Sequence, residues 1–142
     1  MMKISVIYWS GTGNTEKMAE YVAEGAKSGG ADVALMTVSE ADAGVLDSDV
    51  LLFGCPAMGA EELEETEFEP FFAAIEPGLK GRRIGLFGSY EWADGEWMRR
   101  WQERALNDGA VMIADGVIAY GAPDADAAAA CRALGSAAAR QI

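Results

Sequence analysis

The chain contains no histidine, which excludes histidine-based acid–base chemistry and the usual zinc sites. Its two cysteines, Cys55 and Cys131, form no C-x-x-C pair. Four-cysteine iron–sulfur ligation is therefore impossible, and free thiols suit a reduced cytosol. No apolar run approaches the ~18 residues of a membrane span, so no membrane association is expected. The first strand opens within three residues of Met1, leaving no room for a signal peptide, and a cytoplasmic location is expected. Basic residues are scarce, 11 Lys and Arg against 23 Asp and Glu, for a net charge of −12. Such a surface is unsuited to nucleic-acid phosphates. It favours basic protein partners steered by charge and serves solubility equally well.

What is present points to one α/β domain over residues 1–142, since 142 residues with 51% apolar composition suffice for a real core. Strands are expected at 3–8, 32–38, 49–54 and 83–88, with a fifth over 110–119 interrupted around Asp115-Gly116. The third is almost continuously apolar, as a parallel strand covered on both faces should be. Helices are expected from Thr15 or Glu16, over 70–75, over 96–107 with Gly109 marking the end, and from Pro123-Asp124 with Asp124 as cap. Five strands alternating with four helices give a doubly wound parallel sheet with helices on both faces. In such sheets ligands bind at the carboxyl ends of the strands, at the switch point.

The loop after the first strand reads S-G-T-G-N-T, Ser10 to Thr15. A strand–loop–helix of this kind aims backbone N–H groups and the positive end of a helix dipole at one point. Ser10, Thr12 and Thr15 add hydroxyl donors, while Gly11 and Gly13 let the backbone approach an anion. No lysine follows Gly13, so the loop is not a Walker motif, and Glu16 stands where a dinucleotide fingerprint needs its third glycine. The pattern suits a terminal phosphate that is held and not transferred, better than an ordinary turn capped by a threonine.

Four motifs in order, S-G-T-G-N-T (10–15), C-P-A-M-G (55–59), E-F-E-P-F (67–71) and G-S-Y-E-W-A-D-G (88–95), resemble the short-chain flavodoxins. The resemblance runs from the first strand to the last helix. It implies a flavodoxin-like fold, non-covalently bound FMN and one-electron transfer between the neutral semiquinone and the anionic hydroquinone, with no catalytic residue and no metal. By resemblance the phosphate lies on Ser10, Gly11, Thr12, Gly13, Asn14 and Thr15. Met58 packs against one face of the ring with Ala57 beside it among the cofactor-binding residues, the Gly59–Ala60 peptide faces N5, and Glu61 accepts from N3–H. Trp92 covers the other face, with Ser89, Tyr90 and Gly95 in the same loop. A thioether suits an aromatic face, although from the residues alone Met58 fits core filling and Gly59 a plain turn. A tryptophan in a polar, Gly-flanked loop is better explained by stacking on a flat ligand than as core. Tyr8 and Trp9 read equally well as strand-end packing and stay outside this site. Trp97 and Trp101, at i and i+4 on a helix, read as packing.

Family members often carry glycine at the places of Glu91 and Ala93. Ala60 also departs from the pattern, since Gly, Asp or Asn takes a positive φ more easily. If reduction flips the Gly59 carbonyl toward N5–H through a type II turn, a β-carbon at Ala60 costs roughly 1–2 kcal/mol. Ala60→Gly is then expected to raise the oxidised/semiquinone potential, by roughly 60 mV per 1.4 kcal/mol. An unchanged or lower potential in a redox titration refutes this.

Glu61, Glu62, Glu64, Glu65, Glu67 and Glu69 place six carboxylates in nine residues beside the implied ring. A carboxylate ~10 Å away disfavours an added negative charge by roughly 0.4 kcal/mol even in water-like dielectric. Together they imply a low-potential donor and an acidic rim on which basic redox partners dock, the protein being monomeric. An FMN-dependent NAD(P)H quinone or nitro reductase is the alternative on this fold; Trp92 closing one face and the lack of insertions argue against it. A receiver domain needs acidic residues where Tyr8-Trp9-Ser10 and Gly54-Cys55 stand, and a C-x₅-R phosphatase needs arginine where Glu61 stands.

Overall fold

The computed structural model describes residues 2–58, 62–91 and 94–141. The elements run β1 (Lys3–Tyr8), α1 (Asn14–Ser28), β2 (Asp32–Thr37), β3 (Val50–Gly54), α2 (Phe68–Ile75), β4 (Arg83–Tyr90), α3 (Glu96–Asn107), β5 (Val111–Met112), β6 (Val117–Tyr120) and α4 (Ala125–Ala139). All strand pairs are parallel, in the order β2-β1-β3-β4-β5, with β6 also paired to β4. β5 pairs with Arg83 and Ile84, and β6 with Phe87 to Tyr90, so the two are halves of one outer strand. They are the interrupted fifth strand expected from the sequence. At the gap the Gly116 N–H donates to Gln102 Oε1 of α3, which takes the place of a strand partner.

Alternation along the strands builds two cores. Ile4, Val6, Tyr8, Leu52 and Phe87 pack against α1 and α4 through Met18, Val22 and Leu134. Ile7, Leu51, Phe53, Ile84 and Leu86 face α2 and α3 through Phe68, Phe72, Trp97 and Trp101. Trp97 and Trp101 are thus core residues. Phe53 meets Phe72 and Phe68 meets Trp101 edge-on at centroid distances of 5.3 and 5.4 Å, the arrangement aromatic quadrupoles favour.

Boundaries differ from expectation where side chains intervene. α2 begins at Phe68, two residues before Pro70, which is tolerated in a first turn whose N–H groups have no helical partner. The Glu64 carboxylate supplies those partners instead, accepting from the N–H groups of Glu67 and Phe68 at 2.7 and 2.9 Å. α4 begins after Asp124, whose Oδ1 accepts from the Ala127 N–H at 2.8 Å, the cap read from the sequence. Two short 3₁₀ turns, Val38–Glu40 and Ala43–Asp47, had no signal, because three to five residues show no periodicity. Among the described residues no helix is long and apolar enough to cross a membrane.

The chain leaves β1 toward β2 on one side and later toward β4 on the other, so the switch point lies between β1 and β3. The residues after these two strands, and those at the end of β4, converge there.

Candidate functional site

A cleft of about 480 Å³ opens at the switch point. The segment after β1 contributes Trp9, Ser10, Gly11, Thr12 and Thr15; that after β3 contributes Pro56, Ala57 and Met58; the end of β4 contributes Ser89, Tyr90 and Glu91. Three separate loops named from the sequence thus form a single concavity. No lysine or arginine lines it among the described residues.

The hydroxyl-rich loop is organised from within. Gly13, with φ of 96°, stands at the N-terminus of α1 in the left-handed region that penalises a β-carbon. Its N–H donates to Ser10 Oγ at 3.1 Å, folding the loop over itself, and Asn14 begins the helix. The buried Thr15 hydroxyl lies 3.2 Å from Ser89 Oγ and accepts from the Ser89 N–H at 3.4 Å. It ties the start of α1 to the end of β4. Tyr8 donates its hydroxyl to Glu16 at 3.1 Å; burial, then that carboxylate, push the phenol up to about 12. Tyr8 stays a neutral donor at any ordinary pH.

The second wall hangs from β3 and β4. The Ala57 N–H donates to the Ser89 carbonyl at 3.0 Å, and the Cys55 carbonyl accepts from Trp97 Nε1 at 3.1 Å. Burial pushes the Cys55 thiol up, which favours its protonated form. Met58 and Glu62 exchange N–H···O bonds of 2.9 and 3.0 Å in an antiparallel bridge, and Met58 lines the cleft. Gly59, Ala60, Glu61 and Trp92 lie outside the described residues, with the roles expected for them. So does Ala93. On the β4 side Tyr90 packs edge-on against Tyr120 at 5.4 Å, and Gly95, with φ of 90°, starts α3 away from the cleft lining.

The acidic run is not one solvated face. Glu64 is buried at 5% exposure and turned inward to cap α2. Burial would raise its pKa, but hydrogen bonds from Thr66 and the Phe68, Glu67 and Thr66 N–H groups hold it below the usual carboxylate value. Glu69 makes a bidentate pair with Arg104, both contacts at 2.6 Å, and the same guanidinium holds Glu76. Glu67 accepts from Trp9 Nε1 at 3.3 Å. Glu62 and Glu65 remain exposed without a pairing cation among the described residues.

Sequence reasoning left out Trp9, which lines the cleft. Its position between the strand and the glycine loop was the available signal, but an aromatic at a strand end reads as packing.

The flavodoxin family model matches residues 6–134. The chain belongs to the flavodoxin family. It is 45% identical to the flavodoxin of Megasphaera elsdenii over 138 residues, covering 96% of this chain and 98% of that one. It is 47% identical to the Clostridium beijerinckii flavodoxin over 122 residues, covering 85% and 88%. The solution structure of two-electron reduced Megasphaera elsdenii flavodoxin superposes with a TM-score of 0.89 at 46% identity, covering 97% of this chain and 99% of that one. As a flavodoxin the protein binds FMN and transfers electrons to and from other proteins, with no enzymatic turnover of its own. The residues present suit that group, since hydroxyls, thioether and aromatic side chains, and Thr15 at the start of α1, line one cleft.

Proposed function

We propose that this cleft holds FMN and that the protein is a low-potential one-electron carrier working between the neutral semiquinone and the anionic hydroquinone. The FMN supplies the one-electron chemistry, and the chain holds it and sets the charge around it. The observation that carries the reading is a cleft with a phosphate-type loop and no basic residue among its described lining. Ser10, Gly11, Thr12 and Thr15 would hold the phosphate through hydroxyl and N–H donors, leaving its charge unneutralised. Met58 would lie against one face of the ring and Trp92 would cover the other, with Tyr90 in the same loop on the cleft wall. Glu91, on the cleft wall, adds negative potential beside the ring, and exposed Glu62 and Glu65 follow Met58 in the chain. Such a field opposes the second electron and lowers the potential at which it enters. The same carboxylates support docking of basic redox proteins by a monomeric, cytoplasmic carrier.

An anaerobic reductive titration of the FMN-loaded protein tests this. The expected course passes from oxidised-flavin bands through a long-wavelength neutral radical before bleaching, with the second step at the lower potential. Direct bleaching without a radical would reject the one-electron reading. Oxidation of NADPH by the purified protein alone would favour a reductase instead.

A further inference from the structure

Trp9 sits where the loop and the acidic segment meet. Its main chain extends the sheet, the N–H donating to the Gly54 carbonyl at 3.0 Å. Its indole lies under Gly11: a β-carbon built on Gly11 would stand 3.0 Å from Trp9 Cη2 and 3.3 Å from Cζ3. The ring therefore seats the loop backbone at the glycine that must approach an anion closely. Trp9 also lines a second, polar cleft of about 430 Å³ that shares Ser10, Gly11 and Thr12 with the first. The loop is thus open to a cleft on either side, and the indole borders both. What fixes the indole is its Nε1–H, donated to Glu67 Oε1 at 3.3 Å. Glu67 is in turn anchored, since its own N–H donates to the buried Glu64 carboxylate at 2.7 Å.

We infer that Trp9, oriented by Glu67, is a positioning residue for the phosphate end of the flavin, and that this pair makes the cleft select phosphorylated over unphosphorylated flavin. This rests on the proposed placement of the FMN phosphate at Ser10 to Thr15. Glu67 carries a negative charge toward a loop meant for a phosphate, which is unfavourable for binding unless its hydrogen bond does something else. Orienting the plate beneath Gly11 is that function.

The test is the ratio of dissociation constants for riboflavin and FMN, measured by flavin fluorescence quenching on the flavin-free protein. Glu67→Gln and Glu67→Ala remove the same charge, but only Gln retains an oxygen for the indole N–H. The expected result is a ratio equal to or above wild type for Glu67→Gln, and one lower by about five- to tenfold for Glu67→Ala. Trp9→Phe keeps a flat ring, loses the donor and should lower the ratio similarly. Equal ratios in the two Glu67 variants overturn the inference. So does Trp9→Phe weakening both flavins alike, which would make Trp9 a wall for the ring. Wild-type protein that does not prefer FMN would instead refute the placement of the phosphate itself.

Discussion

Replacing Gly135 by alanine is expected to destabilise the fold by about 3 kcal/mol or more. In an ordinary helix interior the same change stabilises by about 1 kcal/mol, so the sign alone is diagnostic. Gly135 lies in α4 where it crosses α1. A β-carbon there would stand 2.0 Å from the Val22 carbonyl oxygen and 2.6 Å from the Ala26 nitrogen. Across the same contact, a β-carbon on Gly25 would stand 2.0 Å from the Arg132 carbonyl oxygen. Both obstacles are main chain, so no rotamer change relieves them and the helices must separate. Separation loosens Met18, Val22, Leu134 and Ala138, all buried between these helices and the sheet. Urea unfolding of the flavin-free protein, followed by circular dichroism, measures the loss. Gly25→Ala should cost a similar amount, and the double variant less than the sum, because one displacement accommodates both methyl groups. A Gly135→Ala protein as stable as wild type would show that the close crossing of α1 and α4 is not what holds this face.

The second large effect is expected at Glu64. Its carboxylate accepts from the Thr66, Glu67 and Phe68 N–H groups at 2.8, 2.7 and 2.9 Å and from the Thr66 hydroxyl. Glu64→Ala leaves these donors without their acceptor at the start of α2, for a loss of about 2–4 kcal/mol. The pH dependence has a definite sign. Glu64 titrates lower in the folded protein than its usual value of 4.5, so its stabilisation is complete above about pH 4.5 and is lost as pH falls through the lower folded pKa. The stability gap between wild type and Glu64→Ala should therefore be widest near neutrality and narrow in acid. A gap that stays constant between pH 7 and pH 3 would mean that the carboxylate acts through packing and not as an ionised cap. Because Glu64 follows the Met58–Glu62 bridge, loss of the cap should also weaken flavin binding.

The difference between these positions and the cleft shows how far the sequence was legible. The glycine–hydroxyl loop could be read because its chemistry is local: strand, donors and helix start lie within a dozen consecutive residues. The broken outer strand was legible for the same reason, since Asp115-Gly116 interrupts an apolar run. Glu64 was not, because a carboxylate between other carboxylates reads as solvent-facing until the start of α2 is known. Gly25 fitted the helical spacing of α1, yet nothing local pairs it with Gly135, 110 residues later. Trp9 reads as the end of a strand, and its hydrogen bond to Glu67 spans 58 residues. Trp9 and the Gly25–Gly135 crossing escaped as contacts between elements distant in the chain, whereas Glu64 escaped through a local cap that shows only once the start of α2 is fixed.

The interruption between Met112 and Val117 also bears on how the molecule behaves at high concentration. A continuous outer strand beside β4 would present a long row of unpaired N–H and C=O groups, a template for a second chain. Here that edge is divided into pieces of two and four residues, and the Gly116 N–H is already taken by Gln102. Exposed Val111 and Ile118 fall on separate pieces. Neither piece reaches the length at which strand-to-strand aggregation becomes favourable, so the break makes the sheet's outer margin self-limiting as well as accommodating α3.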